Sequence, residues 1–268
     1  MSTATISPPA TRPLPQGPRR ARSLTSTTTH PSFSPSLPSP DSFPPPILPS
    51  FSITSEQFLD WLEPGVHADL IAGEIFMHSP VSLDHADHLN FLDGLMRQYI
   101  DEFRLGALHR EQVAVRLGPR DTFLPDLAYY TPEQVKRFGR THVAFAPTLV
   151  VEALSPTSIA RDRGAKFAAY ESHGVQEYWI IDPIAADHRF YRRNATTALL
   201  EEFATQNSPL IESRALPGFW LKREWLAAPA HFPPFAPCLA ELRATHHHST
   251  TPPPTTTHHH SHHSHHSH

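Results

Sequence analysis

The longest periodic stretch of the chain is SPVSLDHADHLNFLDGLMRQYIDEF, residues 79–103. Leu89, Leu92, Met96, Tyr99 and Phe103 recur there at helical spacing, and Ser82 or Asp84 can cap the start. A shorter helix is predicted over TSEQFLDWL (54–62), with Thr54 or Ser55 as N-cap and Pro64-Gly65 beyond its end. Two short apolar runs around Ala72-Gly73, in ADLIAGEIFMH, read as a hairpin. EQVAVRL (111–117) alternates as a strand does, and FLPDLAYY (123–130) follows a turn at Pro119-Arg120-Asp121. PTLVVEAL (147–154) is almost wholly apolar, the pattern of a central strand covered on both faces, and Pro156 stops it. IARDRGAKFAAYESHG (159–174) reads as a helix ending at Gly174, and VQEYWIID (175–182) as a second central strand closed by Pro183. HRFYRR and ALLEEF form a terminal antiparallel pair. The order predicts an α/β (α+β) domain, a mixed sheet flanked by helices.

Composition limits this pattern to part of the chain. Residues 1–50 are built from Pro, Ser, Thr and Ala, with no acid before Asp41, and residues 245–268 are only Thr, Pro, Ser and His. Neither segment holds enough apolar side chain to offset the entropy of ordering it. The predicted organisation is a disordered tail at 1–50, one domain at 51–230 and a disordered tail at 231–268. The Arg-bearing, acid-poor N-terminus shares its composition with organelle transit peptides, but a plain disordered tail accounts for it. With no secretory segment, no run long enough for a membrane helix and a single cysteine, Cys238, a cytoplasmic protein is expected.

Residues 51–230 carry 24 Asp and Glu against 17 Lys and Arg, a net charge of −7. A simple DNA-coating protein would show a basic face instead. Clustered acids remain compatible with a metal-dependent nuclease, because divalent ions neutralise them. The chain lacks G-x-G-x-x-G, a phosphate-cradling G-x-x-x-x-G-K-S/T, H-E-x-x-H and G-x-S-x-G. Dinucleotide enzymes, loop-type NTPases, zincins and most serine hydrolases are thereby set aside.

Two carboxylates stand inside apolar strands, Asp126 in FLPDLAYY and Glu152 in LVVEALS. On neighbouring strands they would converge on one point, with the backbone carbonyl of Ala153 as a further oxygen. Such a donor set suits Mg²⁺, with Mn²⁺ as a substitute, and serves phosphodiester cleavage. That chemistry also wants a fixed cation beside the attacking water, and Leu154 cannot supply it. Lys166, on the helix that follows Glu152, can reach back. Each residue also has a plainer role: Asp126 as a turn acid, Glu152 as an arginine's partner, Asp162 and Lys166 as a surface pair four apart.

The segments FLPDLAYYTPE, PTLVVEALSPTSIARDRGAKFAAYESHGVQEYWIIDP and ADLIAGEIFMHSPVSLDHADHL resemble the Uma-type restriction endonuclease family, a branch of the PD-(D/E)xK nuclease superfamily. The resemblance spans roughly 55–222. It implies a restriction-endonuclease-like fold, Asp126 and Glu152 as metal-binding acids, and an active-site lysine moved to the next helix as Lys166. Asp69 falls where the family has a glutamate, which implies an additional site carboxylate, and His85 matches a histidine that often follows the family's Ser-Pro segment. The expected activity is Mg²⁺-dependent endonucleolytic cleavage of DNA by a homodimer. The competing expectation is a non-catalytic nucleic-acid-binding or interaction module that keeps the fold.

Overall fold

A computed structural model describes residues 52–249, with side chains through His246. Residues 1–51 and 250–268, which hold most of the two expected tails, lie outside the described residues. Helix α1 (Ser55–Trp61) opens with a capping box: Thr54 Oγ1 accepts from the Gln57 N–H, and the Gln57 side chain accepts from the Thr54 N–H. Strands β1 (Ala68–Ile71) and β2 (Glu74–Met77) form the expected hairpin. Both turn residues are left-handed, Ala72 with φ 49° and Gly73 with φ 86°. At Gly73 the positive φ and the Ile53 carbonyl oxygen, 3.0 Å from where a Cβ would lie, favour glycine. Ala72 tolerates its φ because its N–H is held by Asp121 Oδ1 at 2.9 Å.

Helix α2 (Leu83–Phe103) is the long helix of the periodic stretch, N-capped by Ser82. Next come β3 (Ala107–Arg110), a strand the pattern does not predict, and β4 (Ala114–Arg116), which lies within the alternating run 111–117. Strand β5 (Thr122–Phe123) and strand β6 (Leu127–Tyr130) divide the expected strand at 123–130. The interruption falls at Leu124-Pro125-Asp126, where the proline has no N–H for a ladder. Helix α3 (Pro132–Val135) and strand β7 (His142–Val143) lead to β8 (Leu149–Ala153). The helix expected over 159–174 is broken into α4 (Ile159–Asp162) and α5 (Ala165–Ser172). Gly164 makes the break; a Cβ there would sit 2.6 Å from the Ala160 carbonyl oxygen.

Strand β9 (Glu177–Ile181) pairs parallel with β8, then β10 (Arg189–Arg193) and β11 (Leu200–Ala204) form the predicted antiparallel pair. The hairpin β12 (Leu210–Glu212) and β13 (Trp220–Lys222) follows. Two main sheets result, β2-β1-β5-β4-β7 and β11-β10-β9-β8-β6-β3. Both mix parallel and antiparallel pairs, as the α/β expectation requires.

The alternating faces of β8 and β9 separate two cores. Leu149, Val151, Ala153, Trp179 and Ile181 pack toward α2. Val150, Leu154, Tyr178 and Ile180 pack with Tyr170 of α5. Residues 235–249, expected within the C-terminal tail, form helix α6 (Phe235–Ser249), which corrects the boundary at 230. Its Cys238, Leu239 and Leu242 are buried in the α2 core. Flanking proline and histidine runs disguise this short apolar stripe. Among the described residues, no helix is long and apolar enough to cross a membrane.

Candidate active site

Six elements bring ionisable side chains to one cleft. Strand β1 carries Asp69, the loop between β5 and β6 carries Asp126, and β8 carries Glu152 at its C-terminal end. Helix α4 supplies Asp162, α5 supplies Lys166, and the first turn of α2 supplies His85. All six line the cleft. The strand periodicity explains Glu152: it shares a face with Val150 and Leu154, the face that α5 covers. Within α5, Lys166 and Tyr170 fall four apart on one face, and Asp162 at the end of α4 comes within 3.5 Å of Lys166 Nζ across the break.

Lys166 is the hub. Its Nζ lies 2.7 Å from Glu152 Oε1, 3.1 Å from Asp69 Oδ2 and 3.5 Å from Asp162 Oδ1. Lys166 and Asp162 are each 3% exposed as whole residues, so the surface-pair expectation for these two is overturned. Tyr170 donates to the same Glu152 Oε1 at 2.7 Å. Asp126 joins through the backbone: its N–H donates to Glu152 Oε2 at 3.4 Å, while its Oδ2 accepts the Ala153 N–H at 2.7 Å. Asp69 Oδ1 accepts the Leu124 N–H at 2.9 Å, which ties β1 to the loop that presents Asp126. His78 Nε2 is 3.0 Å from Asp69 Oδ2, an oxygen that also lies near Lys166 Nζ yet is aligned for a hydrogen bond with neither nitrogen. His85 Nε2 stands 3.9 Å from Asp126 Oδ2, and its Nδ1 is 3.3 Å from the Leu154 carbonyl oxygen.

Four carboxylates and one ammonium in a buried space cannot all keep their ordinary protonation. Burial pushes the Glu152 carboxyl well up; Lys166 opposes this, while Asp126, Asp162 and Asp69 add to it. Burial likewise raises Asp126, against the His85 charge and the Ala153 N–H. For Asp69, burial is outweighed by Lys166, His78 and the Leu124 N–H, and its carboxyl is held at about 2. Burial disfavours the Lys166 ammonium, but Asp69, Glu152 and Asp162 overcome it and hold its pKa well above the usual value. Lys166 is therefore a fixed cation.

The donor set bears on a divalent ion as follows. Glu152 Oε2 accepts the Asp126 N–H and Asp126 Oδ2 accepts the Ala153 N–H, so the two carboxylates flank the same backbone junction. Among the described residues, no three His, Cys, Asp or Glu side chains form a metal cage. Mg²⁺ needs only one or two carboxylates and keeps its other positions for water, so this all-oxygen pair fits it.

The structure thus brings together Asp69, His85, Asp126, Glu152, Ala153 and Lys166. Sequence reasoning missed Asp162, Tyr170 and His78 as parts of this cluster. The first two share the four-residue spacing of Lys166. His78 follows from hairpin register: Asp69 pairs with Phe76, so His78 is two residues on, on the same side. His88, on the same helix as His85, is 2% exposed and bonds to the Asp84 and Leu226 carbonyls.

A mixed sheet whose strands carry acids to a lysine delivered from the following helix defines a restriction-endonuclease-like nuclease fold. The chain belongs to the Uma2 family, described as “Putative restriction endonuclease”, whose model matches residues 55–227. Its fold is similar to that of a crystal structure titled as “a putative nuclease belonging to DUF820 from Anabaena variabilis ATCC 29413”. That likeness has a TM-score of 0.55 at 20% identity and covers 65% of this chain and 97% of that one. Among curated proteins, none matches the chain.

Proposed function

We propose that the chain is a divalent-metal-dependent endonuclease that hydrolyses phosphodiester bonds of DNA. The carrying observation is the 2.7 Å contact between Lys166 Nζ and Glu152 Oε1, made from a helix rather than from the strand itself. In this reading Asp126 and Glu152, with the Ala153 carbonyl, would hold Mg²⁺ or Mn²⁺. When bound, such an ion supplies Lewis acidity toward water and toward the phosphate oxygens. Lys166, kept charged by three acids, orients the attacking water and stabilises charge that develops on the phosphate. It does not act as the base. Tyr170 and Asp69 fix the lysine and the glutamate so that neither reorganises during the step, and His85 braces Asp126. Double-strand cleavage would use two copies, a homodimer measurable by light scattering.

The test is cleavage of plasmid DNA, single-stranded DNA and RNA side by side in Mg²⁺ and in Mn²⁺. Wild type is expected to cut DNA, and Asp126→Ala and Lys166→Ala to lose at least about 100-fold in rate. Equal cutting by Lys166→Ala overturns the assignment. A second reading, a non-catalytic nucleic-acid-binding module, draws support from the saturation of Glu152 Oε1 by both Lys166 and Tyr170. A thermal midpoint that rises with Mn²⁺ in wild type but not in Glu152→Ala favours the enzyme.

A further inference from the structure

We infer that Arg161 is the residue that grips a substrate phosphate in this cleft. This rests on the nuclease reading above and names a contact that reading leaves open. The cleft is lined by Asp69, Asp126, Glu152 and Asp162, and only two of its lining residues are Lys or Arg, Lys166 and Arg161. Lys166 is spent on three carboxylates. Among the described residues, Arg161 takes part in no ion pair, and its Nε is buried without a hydrogen-bond partner. A buried donor left unpaired costs roughly 1–3 kcal/mol, and no protein acceptor engages this one, so the guanidinium is left uncommitted within the cleft.

The position is held rather than loose. Arg161 sits on α4 next to Asp162, and its Cζ is 5.4 Å from the centroid of the Phe76 ring on β2. That cation–π contact crosses from α4 to the β1–β2 hairpin, one wall of the cleft to another, and keeps the guanidinium out of reach of the site's acids. A polyanion approaching four carboxylates meets repulsion unless a cation faces it. A guanidinium presents a planar fork that matches two phosphate oxygens, with no proton to lose.

The experiment measures binding of labelled 20-nucleotide duplex and single-stranded DNA to the full chain by anisotropy, in EDTA and in Ca²⁺, over a salt series. Arg161→Gln is expected to bind about ten-fold more weakly, the loss of one charge-assisted contact. The slope of log affinity against log salt is expected to fall by about one. Arg161→Lys should restore the slope but not the full affinity, since an ammonium has the charge without the fork. In Mn²⁺ turnover, Arg161→Gln should raise KM and leave kcat within about three-fold. If Arg161→Gln matches wild type in affinity and slope, the inference is overturned while the nuclease reading stands. If wild type binds DNA but never cuts it, the nuclease reading falls and a weakened Arg161→Gln still supports the contact. If wild type binds neither strand, both fall.

Discussion

Glu152 on β8 and Glu177 on β9 are both buried carboxylates on neighbouring parallel strands, 3% and 0% exposed. They face opposite sides of the sheet. Glu177 is fully answered: Arg192 Nε at 2.8 Å, the Arg214 N–H at 2.7 Å, Ser213 Oγ at 2.9 Å, Trp179 Nε1 at 3.2 Å and the Ala215 N–H at 3.3 Å all donate to it. It fastens β9 and β10 to the segment before β13. Glu152 has Lys166 and Tyr170, but it also has three acids whose charge raises its pKa. A buried acid by itself therefore says little about function. The informative sign is a buried acid among other acids, which a fold tolerates only where something else uses the charge.

The comparison can be broken most sharply at Lys166. Lys166→Met leaves three carboxylates uncompensated and should cost roughly 3–5 kcal/mol in urea unfolding, with at least about 100-fold lost from cleavage. Glu177→Gln should cost about 3 kcal/mol yet leave cleavage per folded molecule unchanged; a dead but folded Glu177→Gln would erase the division between the two glutamates. Glu152→Gln should do the reverse, abolishing cleavage while stability moves by no more than about 1 kcal/mol, because crowding is relieved as the lysine contact weakens.

On the Glu177 side of the sheet, the group that titrates is His188. Burial lowers its pKa to about 4; the Leu226 carbonyl opposes this, while His88 and Arg223 add to it and Asp182 opposes it. Unfolded histidine binds its proton near 6.5, so the unfolded state holds more protons between about pH 4 and 6.5. Stability is then full above that window and falls as pH drops through it, by up to roughly 3 kcal/mol. Urea midpoints from pH 4 to 7 should show this slope, and His188→Gln should flatten it. The smallest expected effect is at Gly164. Gly164→Ala forces a Cβ against the Ala160 carbonyl and should cost about 1–2 kcal/mol. Because the shift separates α4 from α5, cleavage should fall further than stability explains.

Much of this molecule is legible in its sequence. Leu89, Leu92, Met96 and Tyr99 give α2, and the apolar runs around Glu152 and Trp179 give the two central strands. The single acids inside those runs mark the cleft. What escapes is tertiary. The break at Gly164 depends on a carbonyl one turn away, and α6 depends on α2 offering a surface to Cys238 and Leu242. The burial of Asp162 depends on Lys166 pointing inward, which helical spacing permits but does not compel. His78 needed the hairpin register before it could be placed beside Asp69.

Leu154 is 1% exposed and packs in the core beneath α5 with Val150 and Tyr170. On the nuclease reading, with the lysine carried by α5, this strand position serves packing alone. Returning a lysine there would bury a second ammonium in an apolar layer, a change that costs several kcal/mol before any benefit appears. On that reading, the apolar layer around Leu154 thus ties the lysine to the helix and leaves the strand no room for another.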